Sequence, residues 1–270
     1  MTFSGRPGRR ARGCGCVALL VVVGAVVMVV ALVAFLLSAL GGPEQFVQRQ
    51  PIPEDIPPAA ATPPPAIDVH APGRTANELH AWAAPIAEEI GVDPQAVRAY
   101  GNAALIAAEA WPACNLQWNT LAGIGWVETR HGTYTGKKFD AGRLDESGVA
   151  QPPIIGPALD GTGNFALISD TDGGTLDSDA EYDRAVGPMQ FIPGSWAIYG
   201  RDADGDGVAN PQQIDDAALS AANLLCANGR DLSTAEGWSD AVLTYNHSRE
   251  YLHNVRDAAA NYALTQRATR

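Results

Sequence analysis

Residues 17–40, from Val17 to Leu40, run without a single charged side chain. At helical rise this stretch spans about 36 Å, enough to cross a hydrocarbon core of roughly 30 Å with some tilt. Four arginines precede it, Arg6, Arg9, Arg10 and Arg12, and no acid. The excess of basic residues on that side puts the N-terminus in the cytoplasm and everything after residue 40 outside. A cleaved signal peptide has an apolar core of only about 7–15 residues, so an uncleaved signal anchor is expected. The chain is therefore read as a basic cytoplasmic tail (1–16), a transmembrane anchor (17–40), a linker (41–73) and one extracytoplasmic domain (74–270).

The charge balance narrows the partners. All 30 acidic residues and 14 of the 18 basic ones lie beyond the span, which leaves the outer part at −16. Such a surface does not suit nucleic acid or anionic lipid, which are bound by basic patches. Residues 43–72 hold nine of the 19 prolines, a composition that favours an extended, disordered spacer of about 3.1 Å per residue. The remainder is long enough for one domain with a sizeable core. Cys14 and Cys16 precede the span; Cys114 and Cys226 are the only cysteines outside it, so in an oxidising setting they are expected to pair.

Within 74–270 the apolar periodicity is helical and strand signals are weak. Thr75 or Asn77 starts a helix that runs to about Ile90 with Gly91 just past its end. Asp93-Pro94 is an N-cap followed by proline at the first helical position, and that helix must break near Trp111-Pro112. A third helix, capped near Asn115 or Asn119, carries Leu121-Ala-Gly-Ile-Gly-Trp-Val-Glu128 and stops by Gly132. Residues 136–182 alternate glycine with aspartate and read as loop, with one short hairpin around Phe165–Ile168. Helices resume at 195–199, 215–228, 238–245 and 248–265. The fold class is mainly α, with long Gly/Asp-rich loops.

Glu128 is the residue that carries chemistry. Residues three, four and seven positions back on a helix share its face, and these are Gly125, Ile124 and Leu121. Its carboxylate therefore projects from the apolar stripe, in the last turn, where the helix dipole opposes negative charge. Desolvation and dipole both favour the protonated form, as a general acid requires. The competing reading is a partly exposed glutamate paired with Arg130 or Arg98.

Three more segments stand out: Gly187-Pro-Met-Gln190-Phe-Ile-Pro-x-Ser-Trp196, Asp202-x-Asp204-Gly-Asp206-Gly207, and Tyr245-Asn246-His247-Ser248-x-x-Tyr251. Together with the Glu128 helix, in this order and spacing over about 120–256, they resemble the membrane-bound lytic transglycosylase B family. The resemblance implies a lysozyme-like α domain that cleaves the β-1,4 bond between N-acetylmuramic acid and N-acetylglucosamine in peptidoglycan. It also implies a 1,6-anhydro product formed without water; the anchor read from residues 17–40 sets the domain on the wall side of the plasma membrane. Most glycosidases need two carboxylates, but substrate-assisted enzymes need one, and here only Glu128 is well placed.

By the same resemblance Gln190 binds the substrate's acetamido group, while Tyr245 and Asn246 orient the sugar. Their structural alternatives are an amide that ties a turn and an asparagine cap beside a packed ring. Trp126, Met189, Phe191 and Trp196 are read as core, and His131 and His247 as structural histidines. The chemistry requires no cofactor. A structural calcium is expected on Asp202, Asp204, Asp206 and the Val208 carbonyl, which follow the first half of an EF-hand loop. Gln213 at position twelve cannot close that loop, and Asp216, at position fifteen, takes the role in the family's longer version; an Asx-turn loop without metal is the alternative.

One departure from the family is Glu181, nine positions before Gln190 where the family has a small hydroxyl residue. With Asp183 it offers a second carboxylate that pairs with Arg184, raises the pKa of Glu128 or activates water. Competing functions are a muramidase-type hydrolase of the same bond and a non-catalytic wall-binding module. The partners expected are peptidoglycan strands and, through the anchor, the membrane; any wall machinery that recruits the domain is unidentified.

Overall fold

A computed structural model of the chain describes Met1, residues 27–33, Phe35, residues 49–134, 141–163 and 165–269. Apart from Met1, the expected cytoplasmic tail, most of the expected anchor and residues 41–48 lie outside these. Residues 27–33 are helical and exposed, and among the described residues no helix is long and apolar enough to cross a membrane. The chain divides into two units, Met1–Arg49 and Gln50–Arg270, and the second carries every candidate site residue.

After a 3₁₀ turn at Thr75–Leu79 come α1 (His80–Ile90), α2 (Pro94–Ala110) and α3 (Trp118–Thr129). Gly91 ends α1 in the left-handed region at φ 68°, a conformation in which a Cβ is penalised. Asp93 caps α2 by accepting from Gln95 N at 2.8 Å, with Pro94 at the first helical position. Strands β1 (Arg143–Leu144), β2 (Ala150–Gln151), β3 (Ile155–Ala158) and β4 (Arg184–Val186) form two antiparallel pairs, β1 with β2 and β3 with β4. Helices α4 (Pro193–Tyr199), α5 (Ile214–Cys226), α6 (Ala235–Tyr245) and α7 (Arg249–Ala263) complete the unit. The mainly α expectation holds for the described residues.

Two helix pairs make the principal contacts, α3 against α7 and α2 against α5. Both depend on small residues. A Cβ on Gly123 would stand 2.8 Å from the Val255 carbonyl oxygen and 3.2 Å from Ala259 Cβ, so glycine sets how closely α3 approaches α7. Both α2 and α5 are rich in buried alanines, among them Ala96, Ala103 and Ala107 on α2 and Ala218 and Ala222 on α5. Trp118, Trp238, Tyr100 and Tyr262 fill the wider parts of the core. The Cys114–Cys226 disulfide forms as expected, with Cα atoms 5.3 Å apart, and ties the segment before α3 to the end of α5.

Two expectations need correction. The proline-rich stretch expected to be a disordered spacer through residue 73 belongs, from Gln50 on, to the compact unit. Asn119 holds it: Oδ1 accepts from Ala61 N at 3.3 Å, and Nδ2 donates to Ala59 O at 3.0 Å and to Ala259 O on α7 at 3.1 Å. Trp118 Nε1 adds a donation to Thr62 O at 3.0 Å, and Ala61 is buried. Asn119 and Asn115 therefore do not cap α3; Gln117 precedes it without a side-chain cap. Polyproline-like chain offers unpaired carbonyls, and a buried amide that satisfies them converts a spacer into a strap.

The Gly/Asp-rich loops are ordered by Asx turns rather than by long strands. Asp145 accepts from Ser147 N and Val149 N, Asp160 from Thr162 N, and Asp170 from Asp172 N and Gly173 N. The short hairpin expected around Phe165–Ile168 forms: Asp160 bridges Leu167, Ile168 N donates to Leu159 O at 2.8 Å and Gly161 N to Ala166 O at 3.2 Å.

Candidate active site

Four chain segments converge on the C-terminal end of α3. Glu128 stands in its last turn, above the buried Leu121, Ile124 and Gly125, as the helical phase requires. The helix stops because Arg130 and His131 both take positive φ, 53° and 61°. His131 is then buried between two tyrosines, with Nδ1 3.0 Å from Tyr100 Oη and Nε2 2.8 Å from Tyr262 Oη. Burial, reinforced by Arg130, drives its pKa down to about 3. It is a neutral structural histidine, as expected, and it anchors the helix end. Gly125 makes room for this arrangement, since a Cβ there would lie 2.1 Å from Tyr100 Oη.

The segment Val186–Phe191 forms a tight hairpin, with Val186 and Phe191 exchanging backbone hydrogen bonds at 2.8 and 3.0 Å. Its tip is pinned on two sides. Thr129 Oγ1, next to Glu128, donates to Pro188 O at 2.6 Å, and Tyr245 Oη, at the end of α6, donates to Met189 O at 2.7 Å. Gln190 thereby stands beside the glutamate's turn, half-buried, at φ 50°. Its Nε2 donates back into the hairpin, to Gly187 O at 3.1 Å and Ala185 O at 3.4 Å. The amide N–H groups thus tie the turn, and what Gln190 retains for a ligand is its Oε1 acceptor.

Tyr245 is half-buried and packs edge-on to Phe191 at 5.7 Å, and it stacks on Tyr251 at 6.4 Å with the rings 7° from parallel. Tyr251, in the first turn of α7, donates its phenol to Glu128 Oε1 at 2.5 Å. This is the partner the sequence did not identify. Arg130 instead folds over the Trp126 ring at 4.1 Å, and Arg98 donates to Asn77 Oδ1 at 3.1 Å, so the ion-pair alternatives for Glu128 do not form. Ser248 caps α7 onto Tyr251 N at 3.3 Å, and that cap sets the phase that aims the phenol. Tyr251 belongs to the quoted Tyr-Asn-His-Ser-x-x-Tyr segment, six residues after Tyr245; the direction of its hydroxyl is a tertiary fact.

Asn246 is exposed at the end of α6, and its Oδ1 accepts from Ser248 N at 3.1 Å. It shapes the α6–α7 turn and leaves its amide N–H groups to the surface. His247 is exposed as well, while Met189, Phe191 and Trp196 are core, as read from sequence.

Electrostatically the site favours a protonated carboxyl. Desolvation raises the pKa of Glu128 to about 7, against the lowering by the Tyr251 hydrogen bond. Tyr245 and Tyr251 are pushed well above the ordinary tyrosine range, first by burial and then by Glu128. Glu181 takes no part: it is exposed, and Arg184 pairs with Asp179 at 2.7 Å instead. Asp183 is buried and occupied by Thr171, whose N–H and hydroxyl it accepts at 2.8 Å each. The expectation that Glu181 tunes Glu128 or pairs with Arg184 is therefore corrected. A carboxyl near neutrality, facing a half-open surface, can deliver and retrieve one proton.

The aspartate loop gathers in part. Asp202, Asp204 and Asp216 each offer a carboxylate oxygen within 4.8 Å of the others. Asp206 instead accepts from Val208 N at 2.7 Å, which also turns Val208 outward. Gln213 caps α5, accepting from Asp215 N and Asp216 N. Asp216 is the keystone, taking Ala203 N at 2.7 Å and Asn210 N at 2.9 Å. Burial raises its pKa to about 7 and raises that of Asp204 too. Three clustered carboxylates suit a hard dication, while the backbone donations are those of Asx turns; of the expected carboxylates, Asp202, Asp204 and Asp216 come together and Asp206 stays outside that group.

Residues 164–260 match the family model of the transglycosylase SLT domain. The match contains Gln190, the aspartate loop, Tyr245, Asn246 and Tyr251, and Glu128 lies N-terminal to it. It supports lytic transglycosylase chemistry on peptidoglycan in general. No curated protein and no solved structure matches the chain.

Proposed function

We propose that the unit from Gln50 to Arg270 is a peptidoglycan lytic transglycosylase that cleaves the β-1,4 bond between N-acetylmuramic acid and N-acetylglucosamine, with Glu128 as its single acid and base. The observation that carries this reading is a carboxyl with a pKa of about 7 whose partner is a phenol and not a second carboxylate. In the first step the Glu128 carboxyl protonates the glycosidic oxygen as the bond to the muramic acid C1 breaks. The sugar's own 2-acetamido oxygen shields the developing positive charge at C1, the role that a second carboxylate plays elsewhere. The glutamate, now ionised and held by Tyr251, takes the proton from the 6-hydroxyl as O6 closes on C1. The acid is regenerated, no water is consumed, and the product carries a 1,6-anhydro ring.

Gln190 Oε1 supplies an acceptor for the acetamido N–H, Tyr245 offers a ring face beside it, and the Asn246 amide donates at the rim. On the same reading Asp202, Asp204 and Asp216 hold a structural calcium that fixes the approach to α5. Residues 17–40 would anchor the enzyme in the plasma membrane, with the unit from Gln50 on its wall side.

Mass spectrometry of murein digested by the purified chain tests the reaction. Anhydro ends are the expected product; reducing ends would instead mean that water attacks and that the enzyme is a muramidase. Release of soluble fragments at an undiminished rate by a folded Glu128→Gln variant would remove Glu128 from the chemistry.

A further inference from the structure

The short segment between the aspartate loop and α5 meets the Gln190 hairpin. Gln212 is half-buried there, and its side-chain amide pairs with one residue in both directions. Its Oε1 accepts from Ile154 N and its Nε2 donates to Ile154 O, each at 2.9 Å. Ile154 O also accepts from Gly187 N at 2.9 Å, and Gly187 O in turn accepts from Gln190 N at 3.1 Å. Backbone bonds on both sides hold Gln212 in place: its N–H donates to Asn210 Oδ1 at 3.0 Å and its carbonyl accepts from Ala150 N at 2.9 Å. The neighbouring Pro211 seats the hairpin directly, since a Cβ on Gly187 would stand 1.7 Å from Pro211 O.

Ile154 is buried and immediately precedes β3. Between the pairs Ile155–Val186 and Ala158–Arg184, two residues of β3, Gly156 and Pro157, oppose one of β4, Ala185. Such a bulge bends a strand and commonly stands beside an active site. Here it brings β3 alongside the hairpin: a Cβ on Gly156 would meet Gln190 Oε1 at 3.1 Å and Ala185 O at 3.2 Å. Glycine thus leaves uncrowded the one acceptor that Gln190 keeps for a ligand. Ile154 joins the two elements around that acceptor, the hairpin through Gly187 and the bulge through β3. Gln212 is the side chain that holds Ile154.

We infer that Gln212 is a positioning residue: by clamping Ile154 it fixes where Gln190 Oε1 stands beside Gly156, and so how that oxygen meets the acetamido N–H of the sugar. The identity of the group that Oε1 meets rests on the proposed function; the clamp does not. The hydrogen bonds of Gln212 run to Ile154, Asn210 and Ala150 and not to Glu128 or Tyr251. It therefore acts on substrate through Gln190 and leaves the acid undisturbed.

The test uses the full chain. Gln212→Met keeps the length and packing of the side chain and removes both bonds to Ile154. Hydrogen exchange at the Gly187 and Gln190 amides should quicken about tenfold relative to the amides of α3; unchanged exchange overturns the clamp. On glycan strands stripped of peptide, kcat/KM should fall about tenfold with the alkaline limb of the pH profile unmoved. A double-mutant cycle separates positioning from general damage: in a Gln190→Ala background, Gln212→Met should cost nothing further. An equal loss in both backgrounds, or a shifted limb, overturns the inference. Gly156→Ala leaves both bonds of Gln212 in place; it should lower kcat/KM and keep Gly187 exchange at the wild-type rate, and unchanged cutting by it also counts against the inference. A wild type that cuts no glycan refutes the transglycosylase reading instead, and the exchange result still decides the clamp.

Discussion

Replacing Glu128 with glutamine should stabilise the protein at alkaline pH and not in acid. The folded protein raises this carboxyl from 4.5 to about 7 because burial penalises its charge. The unfolded chain ionises it at the ordinary value, so between the two pKa values the folded state binds the extra proton. Stability from this group is therefore complete below about pH 4.5 and is lost as pH rises through about 7. At about 1.4 kcal/mol per unit, the shift amounts to roughly 3 kcal/mol above pH 8. Glutamine carries no charge at any pH and can still accept the Tyr251 phenol, so the variant escapes this loss. For a domain of this size the gain corresponds to roughly 6–12 °C in melting temperature. Thermal melts of wild type and Glu128→Gln at pH 4 and pH 8.5 provide the measurement. The difference between the proteins isolates Glu128, because Asp204 and Asp216 titrate alike in both. A difference that is the same at both pH values would refute the desolvated acid, and with it the chemistry assigned to the site.

Tyr251→Phe removes the one hydrogen bond that favours the Glu128 carboxylate, so the alkaline limb of the activity profile should move up by about 1–2 pH units as the rate falls; an unmoved limb would separate Tyr251 from the acid. Gly125→Ala should destabilise the protein by about 1–3 kcal/mol in denaturant melts. The new Cβ would stand 2.1 Å from Tyr100 Oη and 3.2 Å from His131 Nδ1, and that crowding outweighs the helix propensity gained. Millimolar calcium should raise the melting temperature of the wild type and leave Asp216→Asn unchanged; a flat wild-type response would assign the loop to Asx turns alone.

Local chemistry makes much of this legible. Gly91, Asp93 and Pro94 mark helix ends because their φ angles and side-chain acceptors act within a few residues. The phase of Glu128 over Leu121, Ile124 and Gly125 follows from 3.6 residues per turn, whatever surrounds it. Asn119 reads as a cap because an asparagine near a helix start has the same local signature whether it caps or reaches across to Ala59 and Ala259. The proline-rich strap reads as a spacer for a similar reason. Its composition reports that it cannot build a core, but not that another segment's buried amide will hold it.

By itself the sequence determined which residues can do chemistry and which way the Glu128 helix presents its acid, since helical periodicity and side-chain pKa are properties of short stretches. Only the tertiary structure decided what the acid meets: Tyr251, which lies 123 residues away in the chain, and the hairpin tip pinned between Thr129 and Tyr245. It likewise chose Asp179 over Glu181 for Arg184, and Asp216 over Asp206 for the carboxylate cluster. Those choices depend on the directions of side chains brought together from distant segments, and direction is fixed by packing rather than by spacing.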